Sequence, residues 1–159
     1  MEQKKFSITH KDEAMLELVS KTDHKTLAIW AINCAERVLP YFEEDYPEDH
    51  RPRQAIEILE AWINTGVFKM AVIRKASLES HAAARDVGED SPARSAARAA
   101  RQAVATAHVP RHSYGSAIYA QQAIYRATGS SDANAAVVKE RNWQYDLLLQ
   151  LGETRKTKS

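Results

Sequence analysis

The chain has 159 residues, with 22 Lys and Arg against 21 Asp and Glu, so its formal net charge is +1. Its length and its 44% hydrophobic content suit one globular domain, and 5 Gly with 5 Pro exclude collagen-like and low-complexity chains. The single cysteine, Cys34, excludes an intramolecular disulfide, which favours a reducing, cytoplasmic location. We find no apolar run of signal-peptide or membrane-spanning length, so we expect neither secretion nor membrane insertion.

Helical periodicity without strand-like alternation predicts an all-α fold. Alanine is the most frequent residue, and glycines fall where helices are expected to end: Gly66, Gly88, Gly129 and Gly152. About seven helices with short connections suit a single-domain bundle or a stack of helical hairpins. We expect a helical domain over residues 1–152 and a basic, disordered tail over residues 153–159.

Capping residues predict where the first three helices begin. Thr9 caps the first helix with Asp12 in a capping box, and Thr22 or Asp23 caps the second. The second helix is apolar on most of its surface, and its proline, at position 40, kinks or restarts it. The third helix opens at Pro52, because proline is favoured at the first helical position.

The later helices follow similar signals. Ser91 and Pro92 start a fifth helix, which has alanines on one face, so that a neighbouring helix can approach closely. Arginines lie on its opposite face: Arg94, Arg98 and Arg101. The last helix begins at Ser130 or Ser131 and is closed by Gly152.

Few residues of the chain suggest a metal-binding or catalytic role. His108 and His112 have the spacing of two metal ligands on one helix face, but Pro110 lies between them and no zincin pattern follows. We therefore favour a histidine that is hydrogen-bonded at a helix junction. Cys34 shares a face with Leu27 and other apolar residues, which predicts a small buried hydrophobe. We expect no catalytic residue, no bound metal and no cofactor.

The arginine stripe has two interpretations. A basic stripe of this kind is typical of a solvated helix face or of a phosphate-binding surface. It comprises Arg94, Arg98 and Arg101, with Arg74, Lys75 and Arg85 upstream. No aromatic residue interrupts the stripe, and the net charge is close to zero. We therefore expect the solvated face and no nucleic-acid partner.

The densest charge lies between the second and third helices, where five carboxylates fall within residues 43–49. They repel one another unless an arginine or a partner compensates. Aromatic residues beside carboxylates suit the recognition of a basic protein surface, and a solvated loop is the alternative. The predicted partner-binding residues are Tyr41, Phe42, Glu43, Glu44, Asp45, Tyr46, Glu48 and Asp49.

Several strings in the chain resemble one family. They are LAIWA at residues 27–31, CAERVLP at 34–40, YPEDHRPR at 46–53 and AARAARQAVATAHV at 96–109. Together they resemble the immunity proteins of bacterial toxin systems, also described as an immunity protein 5-like domain. The resemblance covers about residues 24–125, and at His50 and Gln54 the chain departs from the expected pattern.

The resemblance implies an all-helical, cytoplasmic, bacterial protein that neutralises a cognate toxin by direct binding, without enzymatic activity. It also implies a polar cluster, which is either a functional site or a buried network: Glu36, Asp49, Arg51, Arg53, Glu57 and His108. The alternatives are a small hydrolase or metal-dependent enzyme that uses His108 with nearby carboxylates, and a nucleic-acid-binding module. Alanine faces also pack between subunits, which allows a homo-oligomer.

Overall fold

The computed structural model describes residues 12–158, with side chains to residue 155, and this part of the chain forms seven α-helices and no strand. The all-α prediction of about seven helices is therefore confirmed. In chain order the helices are α1 (Glu13–Ser20), α2 (His24–Glu43), α3 (Arg51–Thr65), α4 (Met70–Asp86), α5 (Pro92–Ala105), α6 (His112–Ala127) and α7 (Ala133–Lys158).

The helix ends follow the capping chemistry of the sequence. Asp12 caps α1 by accepting a hydrogen bond from the Met15 amide, whereas the predicted cap Thr9 lies outside the described residues. Asp23 caps α2 and Ser91 caps α5, as predicted. Gly66 ends α3 with a φ of 71°, a left-handed conformation that glycine adopts without steric cost.

The structure shows neither a restart of α2 at Pro40 nor an end of the last helix at Gly152. Pro40 lies inside α2, which continues to Glu43, and the alternative of a kink at this proline stays a prediction. The last helix begins at Ala133, two or three residues after the predicted start at Ser131 or Ser130. It runs through Gly152, so the predicted end at Gly152 is wrong. Gly152 lacks the positive φ of a helix-ending glycine. The division into a domain of residues 1–152 and a tail stays a prediction.

Helix α5 is the centre of the fold. It packs against α2, α3, α4 and α6, and α2 also packs against α6 and α7. These contacts between helices distant in sequence form a bundle rather than a linear stack. The predicted alanine face of α5 is buried, and so is the apolar face of α2, whose largest buried side chains are Trp30 and Phe42. Small side chains on α5 let four helices approach one axis.

Candidate partner-binding site

Residues 41–50 comprise the end of α2 and the loop that joins it to α3, and we call this segment the connector. It carries the predicted partner-binding residues. Its backbone is hydrogen-bonded internally: the Tyr46 amide donates to the Phe42 carbonyl at 2.8 Å, and the Asp49 amide donates to the Tyr46 carbonyl at 3.1 Å. The connector therefore contains a tight turn whose backbone is held by its own hydrogen bonds.

Arginines from α3 anchor both ends of this turn. Arg53 donates two hydrogen bonds to Glu43, at 2.8 and 3.1 Å, and Arg51 donates to both oxygens of Asp49, at 2.9 and 2.6 Å. Hydrogen bonding from Arg51 lowers the pKa of Asp49. Both carboxylates are thus compensated within the fold, as charge-assisted bidentate pairs. The repulsion expected from the sequence is relieved at these two positions.

The aromatic residues of the connector differ in their accessibility. Phe42 is 1% exposed and belongs to the core, so the prediction that it inserts into a partner surface is wrong. The α-helical period turns position 42 inward, in line with Val38 and Leu39. Tyr46 lies against Phe42, with ring centroids 5.2 Å apart, and it and Tyr41 are half-buried.

Three carboxylates of the connector remain free of ion pairs with described residues. Glu44, Asp45 and Glu48 are exposed, and none of them takes part in a salt bridge within residues 12–155. A shallow depression in this surface is lined by residues 45–49. We refer to Glu44, Asp45 and Glu48 as the acidic triad. The turn presents their charge to solvent while its own ends are neutralised.

The polar cluster implied by the family resemblance is divided in the structure. Arg53 lies 3.6 Å from Glu36 as well as beside Glu43, and Glu57 is exposed near it. Burial, followed by the neighbouring Glu60 carboxylate, raises the pKa of Glu36. Arg53 therefore joins α3 to the end of α2.

Arg51 belongs to a separate group. Besides Asp49, it reaches Asp86 at the end of α4, at 2.8 Å. This ion pair links the start of α3 to the end of α4. Sequence reasoning missed Asp86 because its partner lies 35 positions away and no local spacing connects the two.

His108 lies apart from both arginine groups. Its exposed ring stacks on Phe68, with centroids 6.2 Å apart, and no carboxylate of the described chain lines the cavity beside it. The predicted junction hydrogen bond is instead made by its neighbour His112, whose Nδ1 lies 2.8 Å from Gln102 Oε1. Residues 12–155 contain no group of three or more His, Cys, Asp or Glu arranged to hold a metal ion.

The arginines of α5 do not form one solvated face, because α5 is central. Arg94 is 16% exposed and donates to the Ala84 carbonyl at 3.0 Å and to Asp90 at 3.1 Å. Arg98 and Arg101 are half-buried and form no ion pair with described residues. The prediction of a solvated face is therefore wrong for Arg94. Cys34 is fully buried as predicted, and burial raises the pKa of its thiol.

Comparison with known families identifies a match over most of the chain. The model of a family described as "Imm-5 like putative immunity protein" matches residues 17–151. No curated protein and no solved structure matches the chain. Among the described residues, no helix has both the length and the apolar character needed to cross a membrane.

Proposed function

We propose, because the chain belongs to the family of Imm-5 like immunity proteins, that it binds a cognate bacterial toxin in the cytoplasm and blocks the toxin's active surface. The chain acts in this proposal by occlusion, without catalysis, metal or cofactor. The family membership supports a toxin as the class of partner, and the chemistry of the connector suggests where that partner binds.

The proposal rests on one observation: only two of the five connector carboxylates form ion pairs with arginines in the part of the chain that the structure describes. Glu43 and Asp49 are held by arginines, whereas the acidic triad of Glu44, Asp45 and Glu48 has no cationic partner among the described residues. Three like charges on one tight turn repel one another, and a basic partner surface relieves that repulsion. The hydrogen-bonded turn lowers the entropy cost of binding, because little ordering is needed.

The proposed contact combines the acidic triad with Tyr46 and the exposed Pro47. Of these residues, all but Glu44 line the shallow depression. Carboxylates at an interface accelerate association with a basic surface, and a tyrosine supplies contact area. Phe42 is left out of this contact because it is buried. The toxin surface that fits is therefore rich in Lys and Arg.

Co-purification tests the proposal first. The tagged chain is mixed with a lysate that contains the products of its own gene neighbourhood, and proteins retained at moderate salt are identified by mass spectrometry. We expect one stoichiometric toxin, whose toxicity on co-expression is suppressed by this chain. Recovery of no toxic partner from that neighbourhood would contradict the immunity function.

A pair of charge-matched variants then tests the acidic triad. Glu44→Gln, Asp45→Asn and Glu48→Gln together remove three negative charges, and we expect affinity for the captured toxin to fall about tenfold or more, with weaker salt dependence. The control, Glu13→Gln with Asp146→Asn and Glu153→Gln, removes three exposed charges from α1 and α7. An equal loss in both variants would show that net charge, and not the connector, governs binding.

A further inference from the structure

A small cavity opens between α4, α5 and the start of α6, away from the connector. Its volume is about 170 Å³. Four cationic or titratable side chains line it, Arg74 and Arg101 with His108 and His112, and no carboxylate of the described chain does. The cavity is thus a concentration of cationic and titratable nitrogen groups without a counter-charge.

Among these side chains, Arg101 gives the strongest indication that the cavity binds an anion. Its Nε is buried and has no hydrogen-bond partner, and the side chain forms no ion pair with residues 12–155. A buried guanidinium nitrogen without a partner is costly, since it has lost water and gained nothing in return. An anion in the cavity supplies what Arg101 lacks.

The neighbouring groups support an electropositive interior. Burial first, and then the proximity of Arg101 and His108, lowers the pKa of His112. The Nδ1 atom of His112 already forms a hydrogen bond with the Gln102 side chain. That side chain lies against Gly115, and a Cβ at position 115 would come within 2.6 Å of Gln102 Oε1. Gly115 therefore makes room for the side chain that fixes the His112 ring at the cavity wall.

Apolar side chains line the same cavity. They are Met70, Ile73 and Ala105, together with the exposed Leu78. Inorganic phosphate, which is polar on all sides, leaves these side chains without a favourable contact. An anion with a short apolar body satisfies both kinds of lining, because its charged end meets the arginines while its chain covers the apolar side chains.

We propose that this cavity is a binding site for a carboxylate with a short apolar stem, held by Arg74 and Arg101 between α4 and α5. The carboxylate belongs to a small acid or to an acidic side chain of a protein, because the two present the same atoms to the cavity. The site is separate from the acidic triad and does not depend on the identity of the toxin.

Titration with butyrate tests the site on the purified full-length chain. Two-dimensional NMR of the histidine rings follows His108 and His112, and we expect saturable shifts with a Kd of about 1 mM or tighter. Two compounds serve as controls. Butyramide has nearly the same shape as butyrate but no charge, and inorganic phosphate is an anion without an apolar chain. Equal binding of butyramide, binding of phosphate as tight as that of butyrate, or no saturable shift with butyrate would overturn the proposal.

Matched variants locate the site. We expect Arg101→Gln to weaken butyrate binding about tenfold or more, with Arg98→Gln as the control from the same helix. Since Arg101 is half-buried, the exposed Arg74→Gln provides a second test, with Arg85→Gln as its control on α4. Neither control residue lines the cavity. Loss of binding in the controls, or full binding in both Arg74→Gln and Arg101→Gln, would contradict the assignment.

Competition distinguishes the two sources of the carboxylate. A glutamate blocked at its amine and α-carboxyl presents only its side-chain carboxylate. Displacement of butyrate by this blocked glutamate supports a protein side chain as the natural occupant, whereas butyrate binding without such displacement supports a free small acid. Both results uphold the cavity as a carboxylate site.

Discussion

Arg37 on α2 and Glu140 on α7 form a two-point ion pair, with both N···O distances at 2.8 Å. The Glu140 side chain is 4% exposed, whereas that of Arg37 is 44% exposed and lies over the Trp143 ring at 3.8 Å. Hydrogen bonding to Glu140 raises the pKa of Arg37. The pair joins the second helix to the last across 103 positions of sequence. The buried Glu140 carboxylate relies on Arg37 to compensate its charge, whereas the more exposed Arg37 guanidinium is also accessible to water.

Because the two side chains differ in burial, we expect their substitutions to lower the unfolding free energy by different amounts. Arg37→Met leaves a buried carboxylate without its partner, and we expect it to cost about 3 kcal/mol of unfolding free energy. Glu140→Gln leaves a half-exposed guanidinium that water can reach, and we expect a cost of about 1 kcal/mol. Urea unfolding of both variants measures the difference, and a larger loss for Glu140→Gln would refute the assignment of Glu140 as the buried member.

A second buried contact involves the Gln144 amide. Its Nε2 donates to the Ala117 carbonyl at 3.0 Å, its Oε1 accepts from Gln121 at 2.8 Å, and its backbone carbonyl accepts from the Trp30 indole at 2.8 Å. This residue is fully buried and ties α7 to α2 and α6.

Gln144→Met keeps the approximate shape of the side chain but removes both amide hydrogen bonds. We expect a loss of about 2 kcal/mol in unfolding free energy, because the Gln121 amide and the Ala117 carbonyl lose buried partners. The exposed Gln150→Met serves as the control on the same helix, with an expected change within about 0.5 kcal/mol. Similar unfolding midpoints for the two variants would show that the buried network contributes little.

The sequence was sufficient to predict those helix ends and helix faces that depend on neighbouring residues. The caps Asp23 and Ser91, the end of α3 at Gly66 and the alanine face of α5 are set by neighbouring residues, so local signals predict them. The Arg51–Asp86 and Arg37–Glu140 pairs join distant positions, and no spacing rule reveals them. The tertiary position of α5 likewise decides that its arginine face is half-buried.

The same distinction applies to the candidate site. Charge density singled out the connector from sequence, but sequence alone did not separate the carboxylates that arginines hold from those of the acidic triad. The inward direction of Phe42 follows from the helical period of α2, which places position 42 on the same apolar face as Val38.

The last helix and the end of α3 provide a paired glycine test. Gly66 has a φ of 71°, so Gly66→Ala forces an alanine into a left-handed conformation and is expected to cost about 1 kcal/mol. Gly152 lies within α7, and a Cβ added there would meet open space, so Gly152→Ala is expected to stabilise the protein by about 0.5–1 kcal/mol. Thermal unfolding measures both changes. Destabilisation by Gly152→Ala would indicate that the helix ends there in solution.

Two histidines predict how stability depends on pH. Burial and the neighbouring arginines lower the pKa of His81, and burial, Arg101 and His108 lower that of His112, from an ordinary value of 6.5. The unfolded chain therefore binds protons at these rings as the pH falls through 6.5, whereas the folded protein binds them only at lower pH. Protonation favours the unfolded state in this window, so the unfolding free energy decreases as the pH falls below 6.5 toward the folded-state pKa values.

Replacing both rings tests this dependence. We expect the double variant His81→Asn with His112→Asn to flatten the slope of unfolding free energy against pH just below 6.5, whatever its absolute stability. His50→Asn, at an exposed position, should retain the slope of the unaltered chain. Urea unfolding at a series of pH values above and below 6.5 gives the three slopes. A slope that persists in the double variant would assign the dependence to other groups, because these two rings would then be absent from the proton balance.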